Sequence, residues 1–172
     1  MADPSRPQPR AELRPAIEAD IPIILSLIRA LADYERLGHE AVATEQDLRQ
    51  SLFGQRPAAD VVIAWSGAEA VGFALYFQTF STFLGKPGVY LEDLFVVPEW
   101  RGRGVGRALL AWVARAALER DAGRMEWSVL NWNELALGVY RRIGARGMTE
   151  WTVQRLTGDA LRTLALSADE PR

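Results

Sequence analysis

The most distinctive chemistry in the sequence is a short run of three arginines and three glycines between an apolar stretch and an amphipathic one. If the run joins a strand to a helix, the unpaired N–H groups at the helix N-terminus form an anion site. Glycines let the backbone approach a ligand closely, and arginines donate paired hydrogen bonds to phosphate. The run therefore predicts a pyrophosphate cradle; its members are Arg101, Gly102, Arg103, Gly104, Val105, Gly106 and Arg107.

Two common phosphate-binding patterns do not fit this run. In the dinucleotide pattern G-x-G-x-x-G, the third glycine would fall on Arg107 or Leu109 in the two possible registers. The nucleotide pattern that ends in Gly-Lys-Ser/Thr is also absent from the sequence. What remains is R-x-x-G-x-G, formed by Arg101, Gly104 and Gly106. From these residues alone, a glycine-rich turn with solvated arginines stays an open alternative.

Two adjacent carboxylates, Glu92 and Asp93, interrupt an apolar run over residues 89–97. Strand alternation sends neighbouring side chains to opposite faces, so at least one of them is poorly solvated unless the strand is bulged. A buried carboxylate needs a partner or a function. The pair indicates either a structural salt bridge or a site that receives a cation.

The hydrophobic pattern predicts a mixed α/β sheet with helices packed on it. Asp20 is a plausible N-cap for the first helix, and Thr44 begins a capping box for the second. Residues 77–88 are expected to form a loop that closes the site. Helices are expected over about 21–36, 45–53, 105–120 and 133–144, with a short one from Thr157; strands are expected over 60–65, 70–77, 89–97, 124–130 and 148–156.

Composition limits the functional classes. The chain has 172 residues, 49% hydrophobic residues and a net charge of −2, which predicts one soluble domain (12–168) after a disordered lead (1–11) and no nucleic-acid partner. It has no cysteine and one histidine, which disfavours thiolate catalysis, a Ser-His-Asp triad and a metal site. The absence of a signal peptide or a membrane-length apolar stretch favours a cytoplasmic protein with no membrane partner.

The sequence resembles the GCN5-related N-acetyltransferase (GNAT) superfamily, and in particular its diamine and thialysine acetyltransferase branch. The similarity is carried by "YLEDLFVVPEWRGRGVGRALL" and "EWSVLNWNELALGVYRRIGA", supported by "LADYE" and "AVGFALYF", and spans about residues 12–165. It implies an α/β (α+β) GNAT fold with a mixed, mostly antiparallel central sheet flanked by helices. The acetyl-CoA loop would lie between a central strand and the following helix.

The resemblance also implies roles for individual residues. Residues 102–107 would bind the acetyl-CoA pyrophosphate, Tyr140 would protonate the leaving thiolate, and Glu92 would help to deprotonate the amine. Main-chain groups of the preceding strand would hold the pantetheine arm and the thioester, and the start of the helix at Asn133 would contact the same arm. These further cofactor-binding residues are Leu94, Phe95, Val96, Asn133, Glu134, Leu135 and Ala136.

Acidic and aromatic side chains near these positions suit a cationic acceptor. The branch differs from this chain at Ser81 and Phe83, where polyamine enzymes carry Asp and Trp, and at Glu126, where they carry His. These departures favour a shorter amine, such as a diamine or a lysine- or thialysine-like amino acid. The expected substrate-binding residues are Tyr34, Glu35, Glu92, Asp93, Glu126, Trp127, Ser128 and Glu150.

The expected reaction is direct attack of a small primary amine on acetyl-CoA in a ternary complex, because no cysteine can form an acyl-enzyme. Two alternatives stay open: a protein or peptide N-acetyltransferase, and a catalytically silent CoA-binding module. The resemblance also implies a homodimer.

Overall fold

A computed structural model describes residues 11–167. The predicted disordered lead lies outside the described residues, apart from Ala11. The chain divides after Leu130 into two compact units, each described by itself below, and the expectation of one domain stays a prediction. The strands are β1 (Glu12–Pro15), β2 (Asp60–Ser66), β3 (Glu69–Ser81), β4 (Lys86–Val96) and β5 (Met125–Trp127); the helices are α1 (Ile21–Tyr34), α2 (Glu45–Phe53), α3 (Val105–Glu119), α4 (Glu134–Arg142) and α5 (Gly158–Leu166).

The first unit is a mixed sheet with helices on both faces. Its strands follow the order β1-β2-β3-β4-β5, antiparallel except for the parallel pair β4–β5. One face packs against α1 and α2 through a cluster that includes Ile24, Leu48, Phe73 and Phe95, and we call it the α1 face. The other face packs against α3. No helix among residues 11–167 is long and apolar enough to cross a membrane.

The two predicted N-cap residues differ in the hydrogen bonds that they make. Thr44 and Asp47 form the expected capping box, in which the main-chain N–H of each residue donates to the side chain of the other, at 2.9 and 3.2 Å. Asp20 precedes α1 as expected but makes no side-chain cap bond. Its buried carboxylate instead accepts two hydrogen bonds from the Arg14 guanidinium, at 2.9 and 3.0 Å, and one from the Ile17 main chain.

Strand β1 has no counterpart among the expected elements. It has only four residues, and its sequence ELRP contains two charges and a proline. It therefore lacks the alternation of apolar and polar residues from which a strand is predicted. These are features of an edge strand. The Arg14 guanidinium stacks 4.4 Å from the centre of the Trp65 ring on β2, and this contact together with the Asp20 ion pair holds β1 against the sheet.

Residues 77–88 are not the expected loop. Most of them extend β3 and β4 into a long hairpin, with a turn over residues 82–85. Ser81 is 3% exposed and its Oγ accepts a hydrogen bond from the Leu84 N–H, whereas Phe83 at the tip is 95% exposed. The ammonium of Lys86 pairs with Asp121 at 3.0 Å at the base of the turn.

The second unit contains α4 and α5 but not the expected strand over residues 148–156, and that prediction is wrong for the described chain. Alternation predicts the side-chain pattern of a strand, but a strand also needs a hydrogen-bonding neighbour. This segment pairs with no strand within residues 11–167. Its apolar side chains are exposed, Trp151 to 75% and Val153 to 79%.

Candidate active site

A β-bulge in β4 sets the positions of the two adjacent carboxylates. Leu91 pairs with Tyr76 of β3 and Asp93 pairs with Leu75, so that Glu92 is the extra residue between two regular pairs. Residues directly opposite each other in an antiparallel pair share a face, and Leu75 packs on the α1 face. Asp93 therefore lies on the α1 face.

Glu92 lies on the same face. Two residues before it, Tyr90 pairs with Phe77, and their ring centres are 5.4 Å apart. Phe77 is two residues from Leu75 and so shares its face, which places Tyr90 and then Glu92 on the α1 face as well. The bulge thus brings both carboxylates to one side of the sheet, whereas in a regular strand they would lie on opposite sides.

Glu92 is exposed and Asp93 is partly buried. Burial, followed by the negative charges of Glu92 and Glu35, raises the pKa of Asp93 to about 6. Burial also raises the pKa of Glu35, which caps the end of α1. The charges of Glu92 and Glu35 both act on Asp93, and together the three carboxylates give this part of the α1 face a negative potential that favours a cation.

The edge of β4 past the bulge offers main-chain hydrogen-bonding groups. The Val97 N–H donates to the Val71 carbonyl at 3.1 Å, so alternate residues of this part of β4 direct their main-chain groups to β3. The groups of Leu94 and Val96 point the other way. There β5 pairs with β4 only over Val89–Leu91, and no other described strand borders β4 on that side.

The arginine–glycine run forms the predicted connection between β4 and α3. Gly102 and Gly104 have φ values of +74° and +84°, and a Cβ on either would meet no atom within 4 Å. Gly104 is the N-cap of α3, and residues 102–104 are exposed. The geometry fits an anion site, because an open left-handed backbone leads directly to the unpaired N–H groups of a helix N-terminus.

The arginines of the run differ from one another. Arg107 is exposed in the first turn of α3. The Arg103 guanidinium lies 4.9 Å from the centre of the Trp100 ring. Arg101 is directed back against the sheet: its Nε donates to the Val96 carbonyl at 3.0 Å, and its guanidinium stacks 4.4 Å from the centre of the Tyr34 ring.

The expected acceptor residues of the first unit divide between the two faces. The Tyr90 and Ser128 hydroxyls are 2.7 Å apart, and Glu126 pairs with Tyr90 in register, so Ser128 and Glu126 belong with the α1 face. Glu126 forms an ion pair with Arg124 at 2.7 Å. The negative charge that was expected to attract an amine is therefore paired with an arginine of the same strand region. Trp127 pairs with Leu91, and alternation places it on the opposite face.

The remaining candidates lie in the second unit. Asn133 caps α4, accepting a hydrogen bond from the Ala136 N–H at 3.2 Å, as its position in the sequence predicts. Glu134 pairs with Arg141 at 3.1 Å, and Leu135 is 62% exposed. Tyr140 lies on the same helix as Asn133, and Glu150 lies in the exposed segment before α5. The cofactor and substrate roles of these residues stay predictions.

Two features of the site were not evident from the sequence. Sequence reasoning assigned the main role to Glu92, yet Asp93 is the more buried of the two, and burial is the main cause that raises its pKa to about 6. It also grouped Arg101 with the anion-binding arginines. The sequence contained no signal for the stacking on Tyr34, because the end of a helix and the end of a distant strand meet only in the fold.

Comparison with known proteins supports the fold and identifies the family. Residues 26–145 match the Acetyltransferase (GNAT) family. The chain is 36% identical to the thialysine N-epsilon-acetyltransferase of Mus musculus over 164 residues, which cover 89% of this chain and 96% of that protein. It is 31% identical to an L-ornithine N5-acetyltransferase of Arabidopsis thaliana, with 90% and 87% covered.

A solved structure is similar over nearly the whole chain. An integron cassette protein from the mobile metagenome of V. cholerae superimposes with a TM-score of 0.76 at 28% identity, covering 91% of this chain and 98% of that one. The expectations of a GNAT fold and of the diamine and thialysine branch are confirmed. The chain belongs to the GNAT acetyltransferase family and is an acetyl-CoA-dependent N-acetyltransferase.

Proposed function

We propose that the protein acetylates the side-chain amine of a small cationic acceptor, with lysine-, thialysine- or ornithine-like amino acids ahead of long polyamines. The observation that carries this proposal is the course of β4. Within one strand it places Glu92 and Asp93 on one face and then leads into the glycine-rich loop at the N-terminus of α3. An amine-binding group and an anion-binding group are thereby held on one rigid element.

The donor is held, in this proposal, by the loop and by the open edge of β4. The N–H groups of residues 102–107 bind the pyrophosphate of acetyl-CoA, with the exposed Arg103 and Arg107 adding positive charge. The main-chain groups of Leu94 and the N–H of Val96 hold the pantetheine arm in the manner of an added strand, since the Val96 carbonyl already accepts a hydrogen bond from Arg101. When bound, acetyl-CoA supplies the thioester that the amine attacks.

The acceptor is held by the carboxylates of the α1 face. Asp93, Glu92 and Glu35 attract the ammonium. The exposed Glu92 accepts a proton from the ammonium through water and releases it to solvent, so that the neutral amine can attack. Tyr140 protonates the thiolate that leaves. The chain has no cysteine, so that transfer in one step within a ternary complex is the simplest route.

Two observations favour a short acceptor. The relatives at 36% and 31% identity are named for thialysine and L-ornithine, both small amino acids with a side-chain amine. In this chain, the hairpin positions that carry an acid and an aromatic residue in polyamine enzymes hold a buried Ser81 and a Phe83 exposed at the tip. Neither side chain supplies a negative charge for the far end of a polyamine.

A homodimer forms through the second unit in this proposal. No side chain over residues 131–167 is fully buried, and several large apolar ones are well exposed. Large exposed apolar surfaces mark interaction sites, so in this proposal a second copy of the chain covers these side chains. The cytoplasmic location suggested by the composition stays a prediction.

The glycine loop is tested with Gly104→Ala. A Cβ at a φ of +84° costs about 1–2 kcal/mol or moves the backbone, and either effect misaligns the N–H groups. We expect the Kd for CoA, measured by calorimetry, to rise roughly tenfold. The matched control is Gly67→Ala, at a φ of +61° and equally open, where the same strain should leave CoA binding unchanged. Equal Kd values for the two variants would remove the loop from the cofactor site.

The reaction is tested by release of CoA thiol from acetyl-CoA in the presence of thialysine, lysine, ornithine, putrescine, spermidine or a short peptide. We expect saturable turnover with the amino acids, and a lower kcat/KM for spermidine, because the far end of that acceptor finds no acidic partner. Preference for the peptide would favour the protein acetyltransferase alternative, and no release despite tight CoA binding would favour the silent module.

The role of Tyr140 as the general acid is tested in the same assay with the variant Tyr140→Phe. This variant lacks only a hydroxyl, so it should bind CoA as the unmodified protein does and lose most of its turnover. Turnover equal to that of the unmodified protein would show that another group is the acid.

The role of Asp93 predicts a specific pH dependence. A carboxyl whose pKa is raised to about 6 is charged above that pH and becomes neutral as the pH falls through it. The KM for the amine should therefore rise as the pH is lowered from about 8 to about 5, since the acceptor stays cationic across this range. At about pH 8, Asp93→Asn should have a higher KM for the amine than the unmodified protein. Its KM should also change less as the pH is lowered. A variant that keeps the full pH dependence would assign it to a group other than Asp93.

The dimer is tested by sedimentation equilibrium. We expect twice the chain mass of 19.1 kDa for the unmodified protein. Trp151→Glu, at a side chain that is 75% exposed, should shift the protein toward the monomer while leaving its helical circular dichroism unchanged. A monomer before any substitution would contradict the proposal.

A further inference from the structure

Arg101 occupies an unusual position for an arginine of a phosphate-binding loop. Its Nε donates to the Val96 carbonyl at 3.0 Å, and its guanidinium lies 4.4 Å from the Tyr34 ring centre and 5.7 Å from the Phe95 ring centre. Both rings belong to the α1 face of the sheet. The side chain is therefore folded under the loop and packed against the end of α1, which Glu35 caps.

We propose that Arg101 is a positioning residue for the acceptor side of the site and not a ligand of the pyrophosphate. The planar face of its guanidinium holds the end of α1 through Tyr34, while its Nε fixes it to the end of β4. This inference rests on the proposed function, and it concerns which of the two substrates the residue serves.

The contacts of Arg101 connect the two elements that carry the acidic groups. Tyr34 is the last residue of α1, and the next residue, Glu35, acts on the charge of Asp93. Asp93 lies on β4, three residues before Val96. One guanidinium thus joins the end of α1 to the end of β4, on the face where the carboxylates meet. Loss of the stacking would release the end of α1 and allow Glu35 to move away from Asp93.

The anion site has other donors. The left-handed backbone at Gly102 and Gly104, the N-terminus of α3 and the exposed Arg107 are all available to an anion without Arg101. Stacking between an arginine and an aromatic ring depends on the planar guanidinium, which lysine lacks. Charge and planarity can therefore be separated by substitution.

The test compares Arg101→Lys and Arg101→Gln at saturating acetyl-CoA. Because both variants lose the stacked plane, we expect the KM for the amine to rise about tenfold in each, with the Kd for CoA within about twofold of the unmodified protein. A pyrophosphate ligand would behave differently: lysine would keep the charge and most of the function, and glutamine would raise the Kd for CoA. That second pattern would overturn the proposal.

Arg107→Gln is the contrasting variant. It removes an exposed charge from the first turn of α3, so it should raise the Kd for CoA and leave the KM for the amine nearly constant. S-acetyl-pantetheine, a donor without the pyrophosphate, sharpens the comparison. The defect of Arg101→Gln should persist with this donor, whereas the defect of Arg107→Gln should disappear. If the Arg101→Gln defect disappeared too, the residue would act on the pyrophosphate.

Tyr34 provides an independent second measurement. Tyr34→Leu should reproduce the KM defect, and Tyr34→Phe, which keeps the ring, should recover most of it. The double variant Arg101→Lys/Tyr34→Leu should be no worse than the poorer single variant, because both remove the same contact. Fully additive defects would contradict the coupling.

Failure of the proposed function is distinguishable from failure of this inference. If the unmodified protein acetylates none of the amines, the proposed function fails whatever Arg101 does. If it acetylates an amine but Arg101→Gln raises the Kd for CoA tenfold or more, the inference fails and the proposed function stands.

Discussion

One extra residue in β4 determines the chemistry that the sheet can present. Without the bulge at Glu92, strand alternation would send one of the two carboxylates toward α3 and away from its neighbour. With the bulge, both lie on the α1 face, and the strand still continues into the loop and α3. The bulge also reverses which residues face each helix layer, so that Phe95 reaches the core under α1 while Leu94 and Val96 pack near Gly106 of α3. Bulges are found beside active sites for this reason: they redirect a side chain without ending the strand.

The close packing of β3 against β4 holds the end of β4 beyond the bulge. At Gly72, opposite Val96, an added Cβ would lie 2.6 Å from the Phe95 carbonyl oxygen, so only glycine allows the strands to approach this closely. The end of β4 is thereby held from one side by β3 and from the other by the Arg101 guanidinium. A site that must keep two substrates in register gains from such an anchored strand, because small displacements of reacting groups have large effects on rate.

The sequence predicted the elements whose stability is local or whose apolar pattern is strong. The capping box at Thr44 and the helix after the glycine loop are examples, since their signals lie within a few residues of the structure that they specify. It did not predict β1, which depends on pairing with the distant strand β2, or the absence of a strand around Trp151, which depends on a missing neighbour. In the site, the sequence located the glycine-rich loop and the two adjacent carboxylates, but it left open whether the strand that carries the carboxylates is bulged. The stacking of Arg101 on Tyr34 joins residues far apart in sequence, and no local pattern encodes such a contact.

The arginine-rich composition has a practical consequence for the study of a thioester-dependent enzyme. Lys86 is the only lysine in the chain; it lies in the hairpin, and its ammonium is paired with Asp121, which follows α3. Apart from the chain's α-amino group, spontaneous acetylation of the protein by its own donor has a single side-chain amine to modify. Self-acetylation would therefore contribute little background to measurements of thiol release. For the same reason, an amine-directed dye would label one known side chain on the hairpin and leave the arginines of the loop untouched.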